Sequence, residues 1–268
     1  MFGVEITIRL FRLFGGRGAA VLASGRVSSV IGGVADVLAS ALSAILPGGV
    51  AAHATAYRSA GGGSGGGGTG SARQAEFAAG RVCARAALTA VGAPGAPPGR
   101  DSDGLPLWPA GFLGSISHSK GLACAVAANS ADFRALGLDV ERTNRLSAGA
   151  MRRILHDSEQ ERVGGDTVRG TLVFSLKEAA FKAVFAAQRA GPGFADLAFE
   201  WDEATGEAEL VRISKSVSPP VAGLLADMGF RFRFFRPRGV VAVVFSPGGG
   251  ETAARNPAEA MARGRPPG

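Results

Sequence analysis

Two lysines and a glutamate lie within ten consecutive residues, 174 to 183, which read Phe-Ser-Leu-Lys-Glu-Ala-Ala-Phe-Lys-Ala. On a helix, Glu178 and Lys182 are one turn apart and share a face. A carboxylate that can hold a cation and an ammonium that can hold a phosphate would then point into the same space. The segment also has a purely structural interpretation, because Ser175 and Glu178 fit a capping box in which the carboxylate only satisfies backbone donors. The segment alone leaves both interpretations open.

A second acidic pair lies in the segment Gly137-Leu138-Asp139-Val140-Glu141. Its alternation predicts a strand that sends Asp139 and Glu141 to one face. Two carboxylates on one face repel each other unless they are solvated or bridged. Mg²⁺ would bridge them, because it takes oxygen ligands and typically uses one or two carboxylates plus substrate phosphates. The structural alternative is an exposed strand end where Glu141 pairs with Arg142 or Arg145.

Three hydroxyls and a histidine lie together in Gly114-Ser115-Ile116-Ser117-His118-Ser119, just before a predicted strand. Such a segment can donate several hydrogen bonds to a phosphate. A serine hydrolase is disfavoured, because Ser117 and His118 are neighbours in a strand-like stretch and no G-x-S-x-G elbow surrounds Ser117. A structural role for His118, in a turn or in the core, remains open.

The apolar periodicity predicts helices and strands that position these motifs. Helices are predicted at residues 34–46, 72–91, 148–155 and 174–188. Strands are predicted at residues 122–128, 136–141, 195–201, 207–213, 230–235 and 240–245. The Ser/Gly-rich segment 59–72 and the Pro/Gly-rich segment 92–111 are predicted to be loops, the first of them a mobile surface loop.

Composition narrows the class of protein. The 268 residues carry a formal net charge of +7, which favours an anionic partner such as nucleic acid, a membrane surface, a phosphorylated ligand or an acidic protein. The two cysteines, Cys83 and Cys124, exclude a disulfide framework and lack the paired spacing of a zinc site, so a cytoplasmic protein is expected. The longest uncharged stretch, 37–52, is too short to span a bilayer, so no integral membrane association is expected.

Together these motifs provide hydroxyls for a phosphate, carboxylates for a metal and a lysine for charge neutralisation, as phosphoryl-group chemistry requires. The order G-S-I-S-H-S, G-L-D-V-E and F-S-L-K-E-A-A-F-K closely resembles that of the 4′-phosphopantetheinyl transferases. The stretch from Glu76 to Arg85, E-F-A-A-G-R-V-C-A-R, together with Trp108 and Pro109, resembles most the enterobactin-synthase-type branch. The resemblance extends over residues 70 to 245.

The resemblance implies an α+β fold of two similar, pseudo-symmetric lobes, each a small, mostly antiparallel sheet packed on a long helix. It implies a transferase, a holo-[acyl-carrier-protein] synthase that uses Mg²⁺ to transfer the 4′-phosphopantetheine arm of coenzyme A to a serine of an apo acyl or peptidyl carrier protein. Adenosine 3′,5′-bisphosphate would be released. The expected pathway is the biosynthesis of a siderophore such as enterobactin or of another secondary metabolite. A monomer that binds an acidic carrier protein and no nucleic acid is expected.

The resemblance also implies a role for each matching residue. Asp139 and Glu178 would bind Mg²⁺, with Glu141 as a third ligand or a supporting partner. Glu178 would also act as the base for the carrier serine, and Lys182 would neutralise or protonate the leaving phosphate. The remaining cofactor-binding residues would surround the coenzyme: Ser117 and His118 at its phosphates, Arg81 at its ribose 3′-phosphate, and Arg73 as a further candidate at that end.

The chain departs from the family pattern at Leu105, where many relatives carry a basic residue in a G-x-P element. Arg100 is the candidate to replace it. The predicted domains are an N-terminal extension at 1–33, an N-terminal lobe at 34–131 that includes the Gly-rich loop 59–72, a C-terminal lobe with the metal site at 132–246, and a disordered tail at 247–268.

Two other functions could use the same residues. A D-x-E pair followed by Glu and Lys could serve a metal-dependent nuclease or another phosphodiesterase, although no aromatic-interleaved basic stripe runs along the chain. A non-catalytic protein could keep the fold and only bind a carrier protein. The presence of all three expected carboxylates favours an enzyme.

Overall fold

The computed structural model describes residues 27–58, 69–93, 95–237 and 239–248 of the chain. The first helix, α1, runs Val27–Ser43 and buries Leu38 and Leu42. It begins before the predicted helix at 34–46, so the last part of the predicted extension 1–33 is helical. Residues 1–26 lie outside the described residues.

Three antiparallel strands form the first sheet: β1 (Ala51–Ala56), β4 (Phe112–Ser119) and β5 (Leu122–Asn129), in the order β1-β5-β4. The helix α2, Thr69–Ala90, packs on one face of this sheet. It can approach closely because β5 presents the small side chains Ala123, Ala125 and Ala127 on that face. Between α2 and β4 the chain forms a separate short ladder of β2 (Gly99–Arg100) and β3 (Pro106–Leu107).

Five antiparallel strands form the second sheet, in the order β6-β10-β9-β8-β7. These strands are β6 (Phe133–Arg142), β7 (Leu197–Asp202), β8 (Glu207–Ile213), β9 (Gly229–Phe235) and β10 (Gly239–Pro247). The helices of this half are α3 (Ala148–Ile154), α4 (Asp157–Val163), α5 (Thr167–Gln188) and α6 (Pro219–Ala226). Gly137 lets α5 lie close to β6, because a Cβ at this position would be 2.0 Å from the carbonyl oxygen of Ala179.

Serine side chains join the two sheets. Ser115 Oγ accepts a hydrogen bond from the Leu138 amide at 3.1 Å, and Ser117 Oγ accepts one from the Val140 amide at 3.2 Å. These bonds hold β4 against β6, although the two strands belong to different sheets. On the opposite side, α1 packs with apolar residues of β5, β6 and β10 in one core cluster. The surface between α2 and α5 is therefore where the two halves can form a cleft.

The fold is α+β with two antiparallel sheets, each packed on a helix of 22 residues, as predicted. The chain passes from the first sheet to the second at the turn 130–132, so the strands on either side of it, β5 and β6, do not pair with each other. Among the described residues, no helix is long and apolar enough to cross a membrane.

Several element predictions were incomplete. The end of the predicted loop 59–72 is helical, because α2 begins at Thr69, and residues 59–68 lie outside the described part. The predicted loop 92–111 contains β2 and β3, and the elements β1, α4 and α6 were not predicted. The segment 114–119, which was predicted to precede a strand, itself belongs to the strand β4. The predicted tail 247–268 begins inside β10, and its residues 249–268 also lie outside the described part.

Candidate active site

Asp139 lies on the face of β6 that packs against α5, and its side chain is almost fully buried, with only 3% exposed. Its Oδ1 accepts hydrogen bonds from Lys182 Nζ at 2.6 Å and from Ser117 Oγ at 3.0 Å. Its Oδ2 accepts a hydrogen bond from Ser175 Oγ at 2.9 Å. Donors from β4 and α5 therefore fix this carboxylate where the two sheets and the long helix meet.

Lys182 links the same elements. Besides its bond to Asp139, its Nζ donates to Ser117 Oγ at 3.0 Å and to the carbonyl oxygen of Leu138 at 3.1 Å. Burial alone would lower the pKa of Lys182. The carboxylates of Asp139 and Glu178 together raise it by more than burial lowers it, so the net shift of the pKa is upward. The ammonium group is therefore charged at neutral pH, and its side chain stays partly exposed at 27%.

Glu178 lies one turn before Lys182 on α5 and is buried. Burial raises the pKa of Glu178 to about 7, with the positive charge of Lys182 acting against the rise and the negative charge of Asp139 adding to it. Glu178 therefore lies within electrostatic range of Asp139 and Lys182. A carboxyl group with a pKa near 7 can accept or release a proton at physiological pH.

The capping-box interpretation of Ser175 and Glu178 is wrong. The helix α5 begins at Thr167, where Asp166 Oδ1 accepts a hydrogen bond from the Val168 amide at 2.7 Å. Ser175 is therefore an interior residue of the helix, and its hydroxyl donates to Asp139. Glu178 has no capping role.

Glu141 lies on the same face of β6 as Asp139, closer to the end of the strand. Ser119 Oγ donates to its Oε2 at 2.9 Å, and Arg145 Nε donates to its Oε1 at 3.4 Å. Burial raises the pKa of Glu141 to about 7; Asp139 adds to the rise and Arg145 opposes it. The alternative of an exposed strand end is wrong, because the side chain is 12% exposed, although the ion pair with Arg145 is present.

His118 lies on β4 and turns towards α2, where its Nδ1 is 3.9 Å from Glu76 Oε2. Partial burial of the ring lowers the pKa of His118; the charge of Glu76 acts against this and that of Lys182 reinforces it. The imidazole is therefore neutral at pH 7. His118 is 38% exposed and lies within the strand β4, so it is not a histidine of the core or of a turn.

Arg81 is buried on α2, and its Nε and Nη1 have no hydrogen-bond partner among the described residues. Its guanidinium carbon lies 4.6 Å from the centre of the Phe77 ring, and that of Arg100 lies 5.1 Å from the same ring. Burial lowers the pKa of Arg81, and the nearby charge of Arg100 lowers it further. Two guanidinium groups share one aromatic ring, and two nitrogens of Arg81 are buried without a partner among the described residues, which makes this a candidate site for an anion. Arg73 is exposed on the same helix.

Two protein-family models match the two halves of the chain, in order along the sequence. The 4′-phosphopantetheinyl transferase N-terminal domain matches residues 68–128, and the 4′-phosphopantetheinyl transferase superfamily matches residues 135–221. The 4′-phosphopantetheinyl transferase Svp of Streptomyces mobaraensis is 38% identical over 176 residues, which cover 62% of this chain and 69% of that relative. The chain belongs to the 4′-phosphopantetheinyl transferase superfamily. It is a transferase by family.

Further relatives carry related names. Enterobactin synthase component D of Salmonella typhi is 32% identical over 173 residues, which cover 62% of this chain and 69% of that protein. The solved structure of Thermotoga maritima holo-[acyl-carrier-protein] synthase aligns with a TM-score of 0.33 at 21% identity, covering 49% of this chain and 74% of that chain. The predicted membership of this family is confirmed, and relatives from its enterobactin-synthase branch are among the matches.

The donor set of this phosphopantetheinyl transferase fits Mg²⁺ in its chemistry. Asp139, Glu141 and Glu178 supply only carboxylate oxygens, and the pKa of the two glutamates is raised to about 7 by burial and by the charge of Asp139, which a bound cation would relieve. The described residues contain no group of three or more His, Cys, Asp or Glu side chains that already converge on one metal position. Convergence of three is not required, because Mg²⁺ keeps several waters and typically takes one or two carboxylates.

Sequence reasoning left Lys177 without a role and missed Ser175 as a partner of Asp139. Lys177 is fully buried, and its Nζ donates to Glu159 Oε2 at 2.6 Å and to the carbonyl oxygens of Phe194 and Ile154 at 2.8 and 3.0 Å. Burial lowers the pKa of Lys177, against the opposing effect of Glu159. Lys177 therefore joins α5 to α4 inside the core, and only Lys182 of the two lysines faces the cleft. The spacing of the residues gives no signal that separates them.

Proposed function

We propose that the chain transfers the 4′-phosphopantetheine arm of coenzyme A to a serine hydroxyl of an apo carrier protein, with Mg²⁺, and releases adenosine 3′,5′-bisphosphate. The observation that carries this proposal is the contact of Lys182 with Asp139 at the junction of the two sheets, with Glu178 one turn away. In a member of this superfamily, that cluster combines a cation for phosphate charge with carboxylates for a metal.

Asp139 and Glu178 are the residues that would hold Mg²⁺, which when bound would offset the negative charge of the pyrophosphate. Asp139 already accepts three hydrogen bonds, from Lys182, Ser117 and Ser175, which leaves part of its acceptor capacity for a ligand. Both oxygens of Glu141 have donors in Ser119 and Arg145. Like Asp139, Glu141 keeps part of its acceptor capacity, so we propose it as a third ligand or a supporting partner of the metal.

Glu178 is the proposed base. Its carboxylate oxygen would take the proton of the carrier serine hydroxyl, directly or through a water molecule, as the serine oxygen bonds to the phosphorus that carries the pantetheine arm. Burial raises the pKa of Glu178, and a bound cation would favour its ionised form, which is the form that can accept the serine proton. The phosphorus–oxygen bond of the pyrophosphate breaks in the same displacement, and adenosine 3′,5′-bisphosphate leaves.

Lys182 is proposed to neutralise the leaving phosphate. The sequence left open whether it neutralises or protonates this group, and the raised pKa favours neutralisation by a permanently charged ammonium. Ser117 was expected at the coenzyme phosphates, but it is buried and its hydroxyl already contacts Lys182, Asp139 and the Val140 amide. We therefore propose that Ser117 positions Lys182 and Asp139 and does not itself bind phosphate.

The anion site on α2 is the proposed location of the ribose 3′-phosphate. Arg81 provides two buried nitrogens without a partner among the described residues, and Arg100 provides the second charge. Arg100 thus supplies the basic group that Leu105 does not. His118, neutral and close to Lys182, would donate a hydrogen bond to a phosphate between the two ends of the coenzyme. Arg73 is proposed as a further contact at the 3′-phosphate end of the coenzyme.

The partner is proposed to be an acidic acyl or peptidyl carrier protein, in keeping with the net charge of +7. A cytoplasmic monomer acting in siderophore or other secondary-metabolite biosynthesis remains part of the proposal. The domain boundaries 1–33, 34–131, 132–246 and 247–268 are likewise proposed, with residues 27–33 now placed in the first helix.

The proposal is tested with the full chain, coenzyme A, Mg²⁺ and several apo carrier domains, by intact-protein mass spectrometry of the carrier. We expect one carrier serine to gain the phosphopantetheine arm, and coenzyme A to be replaced by adenosine 3′,5′-bisphosphate. Nucleic-acid cleavage without any carrier modification would favour the nuclease alternative. Carrier binding without modification would favour the non-catalytic alternative.

A further inference from the structure

Arg189 joins the two halves of the molecule at a point that no predicted site residue touches. It is the first residue after α5, and its Nη1 donates hydrogen bonds to Asp101 Oδ2 at 2.7 Å and to Asp103 Oδ2 at 3.1 Å. Both aspartates lie in the tip of the β2–β3 ladder, which belongs to the other half of the chain. One guanidinium nitrogen therefore bridges two carboxylates across the molecule.

The ladder that receives these bonds also carries Arg100. Its tip is folded by Asp101, whose Oδ1 accepts hydrogen bonds from the amides of Leu105 at 2.8 Å and Asp103 at 3.0 Å. Arg100 Nε donates to the carbonyl oxygen of Gly104 at 3.0 Å, which ties the guanidinium to the same tip. A contact that fixes the tip therefore also fixes the direction of Arg100.

The ladder needs such an anchor. It pairs only two residues on each side, Gly99 with Leu107 and Arg100 with Pro106, and it forms a separate two-stranded sheet. An isolated two-stranded hairpin is marginally stable in water. On the C-terminal side Trp108 packs into the core beneath α2. On the other side of the ladder, Arg189 supplies the contact with α5.

The charges make the same contact important for anion binding. Asp101 and Asp103 lie within three residues of Arg100, and the hydrogen bond from Arg189 lowers the pKa of Asp101, so this carboxylate is ionised at neutral pH. Without Arg189, the two unpaired carboxyl groups beside Arg100 would attract its guanidinium and repel an incoming phosphate. With Arg189 in place, both carboxylates have a partner, and Arg100 can share the Phe77 ring with Arg81.

The backbone of Arg189 has an unusual conformation for a residue other than glycine. Its φ is 54°, in the left-handed region that non-glycine residues seldom adopt, and its amide donates to the carbonyl oxygen of Phe185 to end the helix. Arg189 is thus the residue at which α5 ends, and its side chain contacts the tip of the ladder.

We propose that Arg189 is a positioning residue for coenzyme binding: it holds the 99–107 ladder so that Arg100 and Arg81 together bind the ribose 3′-phosphate. The inference rests on the proposed function, since it takes coenzyme A as the ligand of the Arg81–Arg100 site. Arg189 itself touches neither the coenzyme nor the reacting atoms.

The test compares coenzyme A with dephospho-coenzyme A, which lacks only the 3′-phosphate, using calorimetric binding and transfer kinetics of the full chain. For Arg189→Ala we expect KM and Kd for coenzyme A to rise about fivefold, kcat at saturation to stay within twofold, and Kd for dephospho-coenzyme A to change less than twofold. Arg134→Ala is the matched control, because Arg134 is also exposed and forms a comparable surface ion pair with Asp227. It should change none of these values.

A double-mutant cycle separates positioning from the mere loss of a positive charge. If Arg189 acts through Arg100, then Arg189→Ala should have no further effect on coenzyme A affinity in an Arg100→Ala background. Arg189→Lys, which keeps the charge but cannot bridge both carboxylates in the same way, should show an intermediate loss. Additive effects in the cycle, or equal losses for both coenzymes, would overturn the inference. If the wild-type chain bound neither coenzyme and modified no carrier, the proposed function itself would fail first, so the two failures are distinguishable.

Discussion

Replacing Lys177 by Met should destabilise the fold far more than it alters chemistry. Lys177 and Glu159 are both fully buried, 2% and 1% exposed, and their ion pair is 2.6 Å long. Removing one partner of a buried pair leaves the other charge uncompensated, which typically costs about 3–5 kcal/mol. In a domain of this size each kcal/mol lowers the Tm by about 2–4 °C, so a fall of about 6–20 °C is expected.

The matched variant is Lys182→Met, in the same helix and only a few residues away. Lys182 is partly exposed, and its partner Asp139 keeps the hydroxyl donors Ser117 and Ser175 when the ammonium is removed. This variant should therefore lose less stability than Lys177→Met, while its kcat falls at least a hundredfold. Urea unfolding followed by circular dichroism gives the free energy of unfolding, and carrier modification at a temperature well below both Tm values gives the activity.

The pair also predicts a coupling. Glu159 accepts hydrogen bonds from the amides of His156 and Phe199, so its loss is costly for reasons besides Lys177. The double variant Glu159→Leu with Lys177→Met should be less destabilised than the sum of the single variants by about 2 kcal/mol, because no buried charge remains unpaired. An unfolding free energy for Lys177→Met within about 1 kcal/mol of wild type would refute the reasoning, as would a larger loss for Lys182→Met.

Four further expectations concern the cleft and the packing of α5. Asp139→Ala or Glu178→Ala should abolish turnover in the carrier assay while the protein stays folded, and wild-type rates in either variant would refute the assigned roles. His118→Ala should mainly raise the KM for coenzyme A, and a fall in kcat at unchanged KM would instead assign this residue to the chemistry. Burial raises the folded-state pKa of Glu141 and Glu178 from 4.5 to about 7. Between these two pH values the folded protein therefore binds more protons than the unfolded chain does. The metal-free protein should lose up to about 3 kcal/mol of stability per group as the pH rises from 4.5 to 7. Mg²⁺ should accordingly raise the Tm more at pH 8 than at pH 5.5, and an equal rise at both values would contradict a site built from these carboxylates. Gly137→Ala should destabilise the fold by more than about 2 kcal/mol, measured by urea unfolding, because its Cβ would meet the backbone of α5 at 2.0 Å.

Strongly patterned elements could be predicted from the sequence. The strand β8 has the predicted bounds, 207–213, because its apolar and polar residues alternate between clear turn signals. The strand β1 was missed because its sequence, AAHATA, is rich in alanine, which has a low preference for strands. The helix α6 was not predicted, although its two leading prolines are a start signal, since proline is favoured in the first turn of a helix.

A sequence motif led to a wrong prediction of where α5 begins. The S-x-x-E pattern at Ser175 suggested a helix start, while the true start has its own signal in Asp166, which caps the first turn. The residue types of the site could be predicted, since Asp139, Glu141 and Glu178 follow from strand and helix spacing. Their partners could not: the contacts of Ser117 with Asp139 and of Arg189 with Asp101 join residues 22 and 88 positions apart, and only the packing of the two sheets brings them together.

The central claim is that this cleft transfers a phosphopantetheine arm, and intact-mass analysis of an apo carrier protein tests it most directly. With coenzyme A, Mg²⁺ and the wild-type chain, the carrier should gain the mass of one arm on a single serine, and the same mixture with Glu178→Ala should leave it unmodified. An unmodified carrier in every wild-type reaction, across acyl and peptidyl carriers, would contradict the account.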